Sequence, residues 1–296
     1  MADLLPLKTL VGEGWDDYGL VDSGGGRKLE RYGAYRFIRP EPQAMWQPAL
    51  PASAWDEADG EFVPASDEDG GGRWYFQGPV PAEGWPLGWR ETRFTASCTP
   101  FRHLGFFPDM APVWDWLRER VAEKADPAFL NLFGYTGVGS QALAAAGAAV
   151  THVDASKKSV AQARENAELA NLADKPIRWI VDDAGKFTAR EVRRERRYDA
   201  ILLDPPKFGR GPNNERWQIE DGLAPLLADC GQLLDADSRA LFLTVYAVRM
   251  SALAIGELLA QTLAHLPGTI ECGELAVREE ARGLLLPTAI FARWSR

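Results

Sequence analysis

A glycine-rich turn near the middle of the chain is the first feature that could do chemistry. The turn reads Gly134-Tyr-Thr-Gly137-Val-Gly139 and follows the apolar run 129–133. Glycines let a backbone approach a ligand closely and adopt positive φ. In a parallel sheet, such a turn between strand and helix binds a nucleotide at the carboxyl edge. The plainer interpretation is a turn that only packs the helix on the strand.

Acidic residues follow the next two strand patterns. Asp154 stands 20 residues after Gly134, where a carboxylate can accept hydrogen bonds from both hydroxyls of a ribose. Asp183 closes the following pattern and precedes the small Ala184, which leaves room for an adenine ring whose amino group Asp183 would bind. Asp183 is also a suitable N-cap for the next helix, and both roles can hold.

A rigid corner follows the fourth strand pattern and is the candidate reacting centre. It reads Asp204-Pro205-Pro206-Lys207-Phe208. Two prolines cannot continue a sheet ladder, and they fix an extended exit that holds the Asp204 carboxylate at the sheet edge. An acceptor there can orient an exocyclic amine, and Phe208 can stack on a flipped base. A plain turn after a buried strand is the alternative.

The glycine spacing discriminates between two nucleoside cofactors. NAD requires Gly-x-Gly-x-x-Gly, because its pyrophosphate sits tightly on the turn. This chain has Gly-x-x-Gly-x-Gly. S-adenosylmethionine (SAM) carries no phosphate and needs backbone donors and acceptors together with an acidic residue. The pattern favours SAM. An NAD-dependent oxidoreductase and a non-catalytic RNA- or protein-binding module that retains a SAM pocket remain as alternatives.

Strand and helix patterns alternate around these motifs. Strand patterns cover 129–133, 149–154, 177–183, 198–204 and 240–247, with helix patterns at 112–121, 140–146, 157–171, 185–194, 217–234 and 252–265. Such alternation predicts a doubly wound parallel α/β sheet. Two final strand patterns, 269–278 and 284–294, predict a terminal antiparallel hairpin. Short strand patterns with turns at 23–26 and 67–72 predict a small β-rich domain over residues 1–108, and an α/β domain over 109–296.

Composition limits the class of protein. The 296 residues are 46% hydrophobic and 25% charged, as in a soluble globular protein, and no run reaches the ~20 apolar residues of a membrane span. The start lacks the pattern of a signal peptide, and the three cysteines are odd in number and widely spaced, so we expect a cytoplasmic protein without disulfides or zinc. The net charge of −9 counts mildly against a nucleic-acid partner.

Together the motifs resemble the class I SAM-dependent methyltransferases, and most of all the bacterial branch related to the ribosomal large-subunit cytosine-C5 enzyme. The resemblance covers about residues 100–296. It implies a Rossmann-like, seven-stranded methyltransferase sheet, SAM as cofactor, S-adenosylhomocysteine (SAH) as product, and no metal. It implies a catalytic edge of Asp204, Pro205, Pro206 and Phe208. The implied cofactor-binding residues are Phe107, Asp109, Asn131, Gly134, Tyr135, Thr136, Gly137, Asp154, Ala155, Ser156, Asp183, Ala184 and Asp204.

Two departures from the family pattern affect the activity. The family often has Asp-Gln before the first helix, whereas this chain has Asp109-Met110. Cytosine-C5 transfer needs a thiolate that attacks C6, and the stretch 244–249, which matches its position in the family, has no cysteine. We expect Cys230 and Cys272 to be buried packing residues, and Cys98 precedes the methyltransferase core. The C5 activity is therefore not carried over.

RNA, and ribosomal RNA most of all, is the acceptor that the resemblance favours. Basic residues cluster at 186–197, at Lys207, Arg210 and Arg216, and at 27–39, where they could contact phosphates or form solvated surface. Six of the 11 tryptophans lie in residues 1–100, and we expect most of them to pack a small core. The sequence predicts a SAM-dependent methyltransferase that modifies an RNA base, and leaves its oligomeric state open.

Overall fold

The computed structural model describes residues 7–65, 71–246 and 248–296. Most of the turn predicted at 67–72 lies outside the described residues. The chain divides into two compact units. The large unit comprises 7–10, Pro112–Leu275 and Thr288–Arg296, and the small unit comprises Val11–Ala111 and Ala276–Pro287. The recognition role predicted for residues 1–108 stays a prediction.

The elements follow the predicted alternation. The strands are β1 (Lys8–Gly12), β2 (Tyr18–Gly24), β3 (Arg27–Tyr32), β4 (Tyr35–Pro40), β5 (Gly60–Pro64), β6 (Gly72–Phe76), β7 (Trp85–Trp89), β8 (Thr92–Ala96), β9 (Ala128–Leu132), β10 (Ala149–Asp154), β11 (Ile177–Val181), β12 (Ala200–Leu203), β13 (Phe208–Arg210), β14 (Arg216–Gln218), β15 (Ala240–Val245), β16 (Thr269–Arg278) and β17 (Leu285–Ser295). The helices are α1 (Ala52–Asp56), α2 (Ala111–Val121), α3 (Val138–Ala145), α4 (Lys157–Leu169), α5 (Ala184–Arg193), α6 (Ile219–Gln232) and α7 (Ala252–Thr262), with a 3-10 turn at Pro108–Met110.

The main sheet has eight strands in the order β1-β16-β17-β15-β12-β9-β10-β11. Strands β15, β12, β9, β10 and β11 are parallel, and β17 runs antiparallel to β15. The doubly wound fold with a terminal antiparallel hairpin is confirmed. The count of seven strands is wrong, because the edge strand β1 adds to β16. Gly273 makes this close approach possible, since a Cβ there would lie 1.7 Å from the Lys8 carbonyl oxygen.

The central parallel strands β12 and β15 are largely apolar because helices cover both faces of the sheet. All four residues of β12 and all six of β15 are buried. The register places Leu132 beside both Val153 and Leu203. The turns that follow β9, β10 and β12 therefore meet at one edge of the sheet.

The small unit contains the five-stranded sheet β2-β3-β4-β5-β6 and the hairpin β7-β8. Its first hairpin, β2-β3, was predicted. The six tryptophans of residues 1–100 are buried or half-buried, so the packing interpretation is confirmed. Glu30 is fully buried and accepts hydrogen bonds from the guanidinium of Arg39, at 2.7 and 2.8 Å, and from the hydroxyl groups of Tyr18 and Tyr32. This network supplies the partner that a buried carboxylate requires.

Within the described part of the chain, no helix has the length and apolar character needed to cross a membrane.

Candidate active site

The glycine-rich turn after β9 is held in an unusual backbone conformation. Phe133, Tyr135 and Gly137 have φ of 58°, 48° and 82°, in the left-handed region. For residues with a side chain this conformation costs about 1–3 kcal/mol and tends to cluster at functional sites. The Gly134 N–H donates to Val153 O and the Gly137 N–H donates to Gly134 O, each at 3.0 Å. The turn is thus a strained loop held tightly on the sheet edge.

Steric packing explains why Gly134 has no side chain. A Cβ at Gly134 would lie 2.4 Å from Cε1 and Nδ1 of His152. A Cβ at Gly137 would lie 2.7 Å from the Cβ of Ala163. The first glycine therefore lets the loop lie directly on a histidine ring, and the second combines positive φ with contact to α4.

A buried polar chain supports the loop from below. The Asn131 amide donates to Ser140 Oγ at 2.9 Å, and Ser140 Oγ is 2.9 Å from His152 Nδ1. Burial lowers the pKa of His152 to about 3, so its ring is neutral at physiological pH. A neutral ring can accept the Ser140 proton at Nδ1 or donate its own Nδ1–H to the hydroxyl oxygen, so the direction of this bond follows the histidine tautomer. His152 is a fully buried core residue. Ser140 was missed, because nothing in the sequence shows which side chain of α3 faces the neighbouring strands β9 and β10.

Asp154 ends β10 directly beside the loop. Its Oδ2 accepts the Tyr135 N–H at 2.9 Å, and its Oδ1 accepts the Ser156 N–H at 2.8 Å. Burial raises the pKa of Asp154, while these two backbone bonds oppose the shift. A carboxylate oxygen has two lone-pair sites, so each oxygen can still accept a hydrogen bond from a hydroxyl group. The carboxylate is thus oriented by backbone on both sides and suits a ribose diol.

The residues that follow β11 lie at the same edge of the sheet as Asp154. The Asp182 N–H donates to Asp154 O at 3.0 Å, and Asp182 pairs with Arg190. Asp183 Oδ1 accepts the Lys186 N–H at 2.9 Å and caps α5. The N-cap interpretation is confirmed, and the contact of Asp183 with adenine stays a prediction. Asn166 donates to Thr136 O at 2.9 Å, which fixes the far side of the glycine loop.

The diproline corner is fixed by two side chains that the sequence reasoning missed. The Thr244 hydroxyl donates to Asp204 Oδ1, from the neighbouring parallel strand β15. The Trp217 indole N–H donates to Pro206 O at 2.6 Å, and Pro205 is buried. The Asp204 carboxylate is therefore held at the same sheet edge as Asp154. Strand order could have revealed Thr244, since Leu243 pairs with Leu203.

The remaining predicted residues fall in three places. Phe208 begins β13 and its side chain is exposed. Ala155 and Ser156 follow β10, where Ser156 caps α4, and Ala184 is buried at the start of α5. Phe107 and Asp109 belong to the small unit, where the ring of Phe107 lies 5.7 Å from that of His103. Direct contact of these residues with a cofactor stays a prediction.

All three cysteines have protonated thiols at neutral pH. Cys230 and Cys272 are fully buried, as predicted, and burial raises the pKa of each thiol. Burial also raises the pKa of Cys98 to about 12. A thiolate nucleophile requires the opposite shift. Among the described residues, no group of three or more His, Cys, Asp or Glu side chains could hold a metal ion.

The residues at this edge fit SAM. Gly134 has no side chain, so the loop lies directly on its support at the sheet edge, and a half-buried carboxylate oriented for a diol follows on the next strand. Nothing in the turn reproduces the glycine spacing that a pyrophosphate requires.

Comparison with known proteins agrees with this chemistry. The model of the S-adenosylmethionine-dependent methyltransferase family matches residues 43–240. A "Ribosomal RNA large subunit methyltransferase K/L" from Hahella chejuensis is 34% identical over 144 residues, which is 48% of this chain and 19% of that protein. A "Ribosomal RNA large subunit methyltransferase I" from Klebsiella pneumoniae is 36% identical over 85 residues, 28% of this chain and 21% of that protein. The chain thus spans about a fifth of the length of these relatives.

Two solved structures extend the comparison. The SAM-dependent methyltransferase from Agrobacterium tumefaciens is 44% identical, covers 99% of this chain and 95% of its own, and superposes with a TM-score of 0.94. SMU.776, solved as a complex with SAH, is 19% identical with a TM-score of 0.72 over 94% of this chain and 75% of its own, and shows the fold alone. By the match to its family model, this chain is a member of the S-adenosylmethionine-dependent methyltransferase family.

Proposed function

We propose that this methyltransferase transfers the methyl group of SAM to a nitrogen of a base in ribosomal RNA, in the cytoplasm. The observation that carries the chemistry is the meeting of two oriented carboxylates, Asp154 and Asp204, with the strained glycine loop at one sheet edge. The choice of RNA is supported by the named relatives, which are ribosomal RNA methyltransferases.

The residues that would hold the cofactor divide by chemistry. The backbone of Gly134, Tyr135, Thr136 and Gly137 would bind the amino-acid end, with Asn131 supporting the loop from below. Asp154, with the adjoining Ala155 and Ser156, would bind the ribose, and Asp183 with Ala184 the adenine. When bound, SAM supplies a methyl group on a positively charged sulfur.

The acceptor nitrogen would be oriented by Asp204. Thr244 holds one carboxylate oxygen, and the two prolines that follow restrict the backbone of the corner because their rings fix φ. Asp204 accepts a hydrogen bond from an amino or ring N–H and thereby directs the nitrogen lone pair at the methyl carbon. A nitrogen that gained the methyl group as the S–C bond broke would become more acidic, and Asp204 would accept its proton. Most of the rate enhancement in this scheme comes from positioning.

A nitrogen acceptor is favoured over cytosine C5 by the state of the thiols. The C5 reaction begins with attack of a thiolate on C6. The pKa of each of the three cysteines is raised by burial, and Cys230 and Cys272 have no exposed surface. A nitrogen lone pair needs no such covalent activation.

The test is transfer of labelled methyl from SAM to ribosomal RNA purified from a strain that lacks this gene. We expect incorporation into that RNA and little into wild-type RNA, where the site is already methylated. Nucleoside mass spectrometry should identify an N-methylated base, and Cys98→Ser should retain full activity. A 5-methylcytosine product would refute the nitrogen acceptor. Absence of transfer by protein that binds SAH normally would refute the RNA substrate.

A further inference from the structure

The hairpin formed by β13 and β14 has two faces of different character. Its register pairs Phe208 with Gln218, Gly209 with Trp217 and Arg210 with Arg216. The Gly209–Trp217 pair faces the catalytic corner, since the Trp217 indole bonds to Pro206 O. Because side chains alternate along a strand, the other two pairs lie together on the opposite face. We call these four residues, Phe208, Arg210, Arg216 and Gln218, the outer face.

The inner face of the hairpin, formed by Gly209 and Trp217, anchors it to the body of the large unit. The ring of Trp217 lies 5.0 Å from that of Phe133, which precedes the glycine loop. A Cβ at Gly222 would lie 2.6 Å from the same indole, so the indole packs tightly on α6. The Ile219 N–H donates to Lys207 O at 3.0 Å and closes the base of the hairpin. The outer face is therefore presented on a fixed support.

The outer face carries positive charge without a matching carboxylate. Arg210 and Arg216 are exposed and stand directly opposite each other. Like charges in this arrangement destabilise a sheet. Arg216 bonds to the neutral Gln218 at 3.1 Å. In the described part of the chain, neither arginine nor Lys207 pairs with a carboxylate within 4.0 Å. The repulsion would be relieved by a bound anion.

The one carboxylate of the hairpin tip is already used. Glu215 accepts hydrogen bonds from Lys186 Nζ at 2.5 Å and from the Asn213 N–H at 2.8 Å. The Gly211 N–H donates to Glu215 O at 2.8 Å and completes the turn. Glu215 thus ties the tip to the first turn of α5 and does not neutralise the two arginines.

An aromatic ring completes the surface. Phe208 is 55% exposed on the same face as the two arginines, and the Lys207 ammonium lies 4.9 Å from its ring centre. Phe208 is also four residues after Asp204. An exposed ring stacks on a nucleobase, and guanidinium groups bind phosphates in a forked geometry. A single-stranded polynucleotide presents both groups at once.

From this arrangement we infer that the outer face of the β13–β14 hairpin is the surface on which unpaired RNA docks. The target base or its neighbour stacks on Phe208, and phosphates on either side bind Arg210 and Arg216. The inference rests on the proposed function, because it names the element that delivers the RNA base to Asp204.

The test compares two pairs of substitutions with equal change of charge. The test pair is Arg210→Gln with Arg216→Gln, and the control pair is Arg164→Gln with Arg178→Gln, which are exposed residues of α4 and β11 outside the three basic clusters. The probe is a short fluorescein-labelled single-stranded RNA, titrated by anisotropy over a series of salt concentrations. Each lost phosphate contact should reduce the slope of log affinity against log salt by about 0.7. We expect a reduction of about 1.4 for the test pair, and little change for the control pair.

Stacking is tested separately with Phe208→Ala and Phe208→Tyr. Loss of the ring should weaken RNA binding by about 10-fold, whereas tyrosine should retain the affinity of the native protein. Binding of SAH to every variant, measured by calorimetry, should equal that of the native protein and shows that the fold is intact.

The outcomes separate the docking surface from the proposed function. If native protein methylates ribosomal RNA but the test pair leaves the salt slope unchanged, or lowers it no more than the control pair, the docking surface is refuted and the function stands. If native protein neither binds the probe nor methylates ribosomal RNA, the proposed function fails and the docking surface fails with it.

Discussion

Replacement of Asp154 by alanine tests the cofactor site most directly. Both carboxylate oxygens are already oriented by backbone N–H groups, at 2.9 Å from Tyr135 and 2.8 Å from Ser156. If each oxygen also accepts one ribose hydroxyl, the variant loses two hydrogen bonds to a charged acceptor. Such bonds contribute about 1.5–3 kcal/mol each. We therefore expect Asp154→Ala to weaken SAH binding by roughly 100-fold to 10,000-fold.

A simple loss of affinity would not separate the ribose contact from damage to the loop. The variant also removes the acceptor for the Tyr135 N–H, which is part of the strained turn. A double cycle resolves this, with Asp154→Ala as one change and an SAH analogue lacking both ribose hydroxyls as the other. Damage to the loop weakens both ligands equally, whereas a direct contact makes the two losses less than additive.

The assay is isothermal titration calorimetry of native and variant protein with both ligands. We expect a coupling energy of about 2 kcal/mol or more, within the range found for groups in direct contact. A coupling below about 0.5 kcal/mol would show that Asp154 does not bind the ribose, whatever the affinity of the variant. Equal SAH affinity in native and variant protein would refute the whole assignment.

Three further predictions follow from the same structure. Gly134→Ala forces a Cβ within 2.4 Å of the His152 ring. Chemical denaturation should therefore show a loss of about 1–3 kcal/mol in unfolding free energy, and SAH binding should weaken. A variant with unchanged stability and SAH affinity would contradict the close packing. Asp204→Ala should bind SAH normally and lose at least about 100-fold in turnover, measured by methyl transfer to RNA, and the reverse pattern would exclude its positioning role. In the small unit, burial alone would raise the pKa of Glu30, but Arg39 lowers it from 4.5 to about 2. The Glu30 carboxylate therefore contributes stability that is fully present above pH 4.5 and is lost as the pH falls towards 2. The loss should reach about 3 kcal/mol, and an acid denaturation series in which Glu30→Gln keeps the same pH dependence would contradict it.

The positions of the chemical motifs were predictable because each one marks the end of a strand. The glycine turn, Asp154, Asp183 and Asp204 each follow a strand pattern, and parallel strands present their carboxyl ends at one edge. That topology brings residues far apart in the chain to a common edge without any knowledge of side-chain contacts.

The edge strand β1 was not predictable in the same way. Lys8–Gly12 is short and largely exposed, so it lacks the apolar run that identifies a buried strand. Its place beside β16 depends on Gly273, whose missing side chain leaves space for the Lys8 backbone. A single glycine within a strand pattern does not reveal what approaches it.

For this protein, local patterns in the sequence were sufficient to predict the class of fold and the alternation of strands and helices in the α/β domain, and to favour SAM over NAD, because strand periodicity and glycine spacing are properties of short segments. Tertiary structure alone decided how the groups are held. It placed Ser140 and the neutral His152 beneath the glycine loop, put Thr244 on Asp204, and turned Arg210 and Arg216 onto one exposed face. Those relations depend on strand pairing and on the packing of side chains distant in sequence, which no short segment encodes.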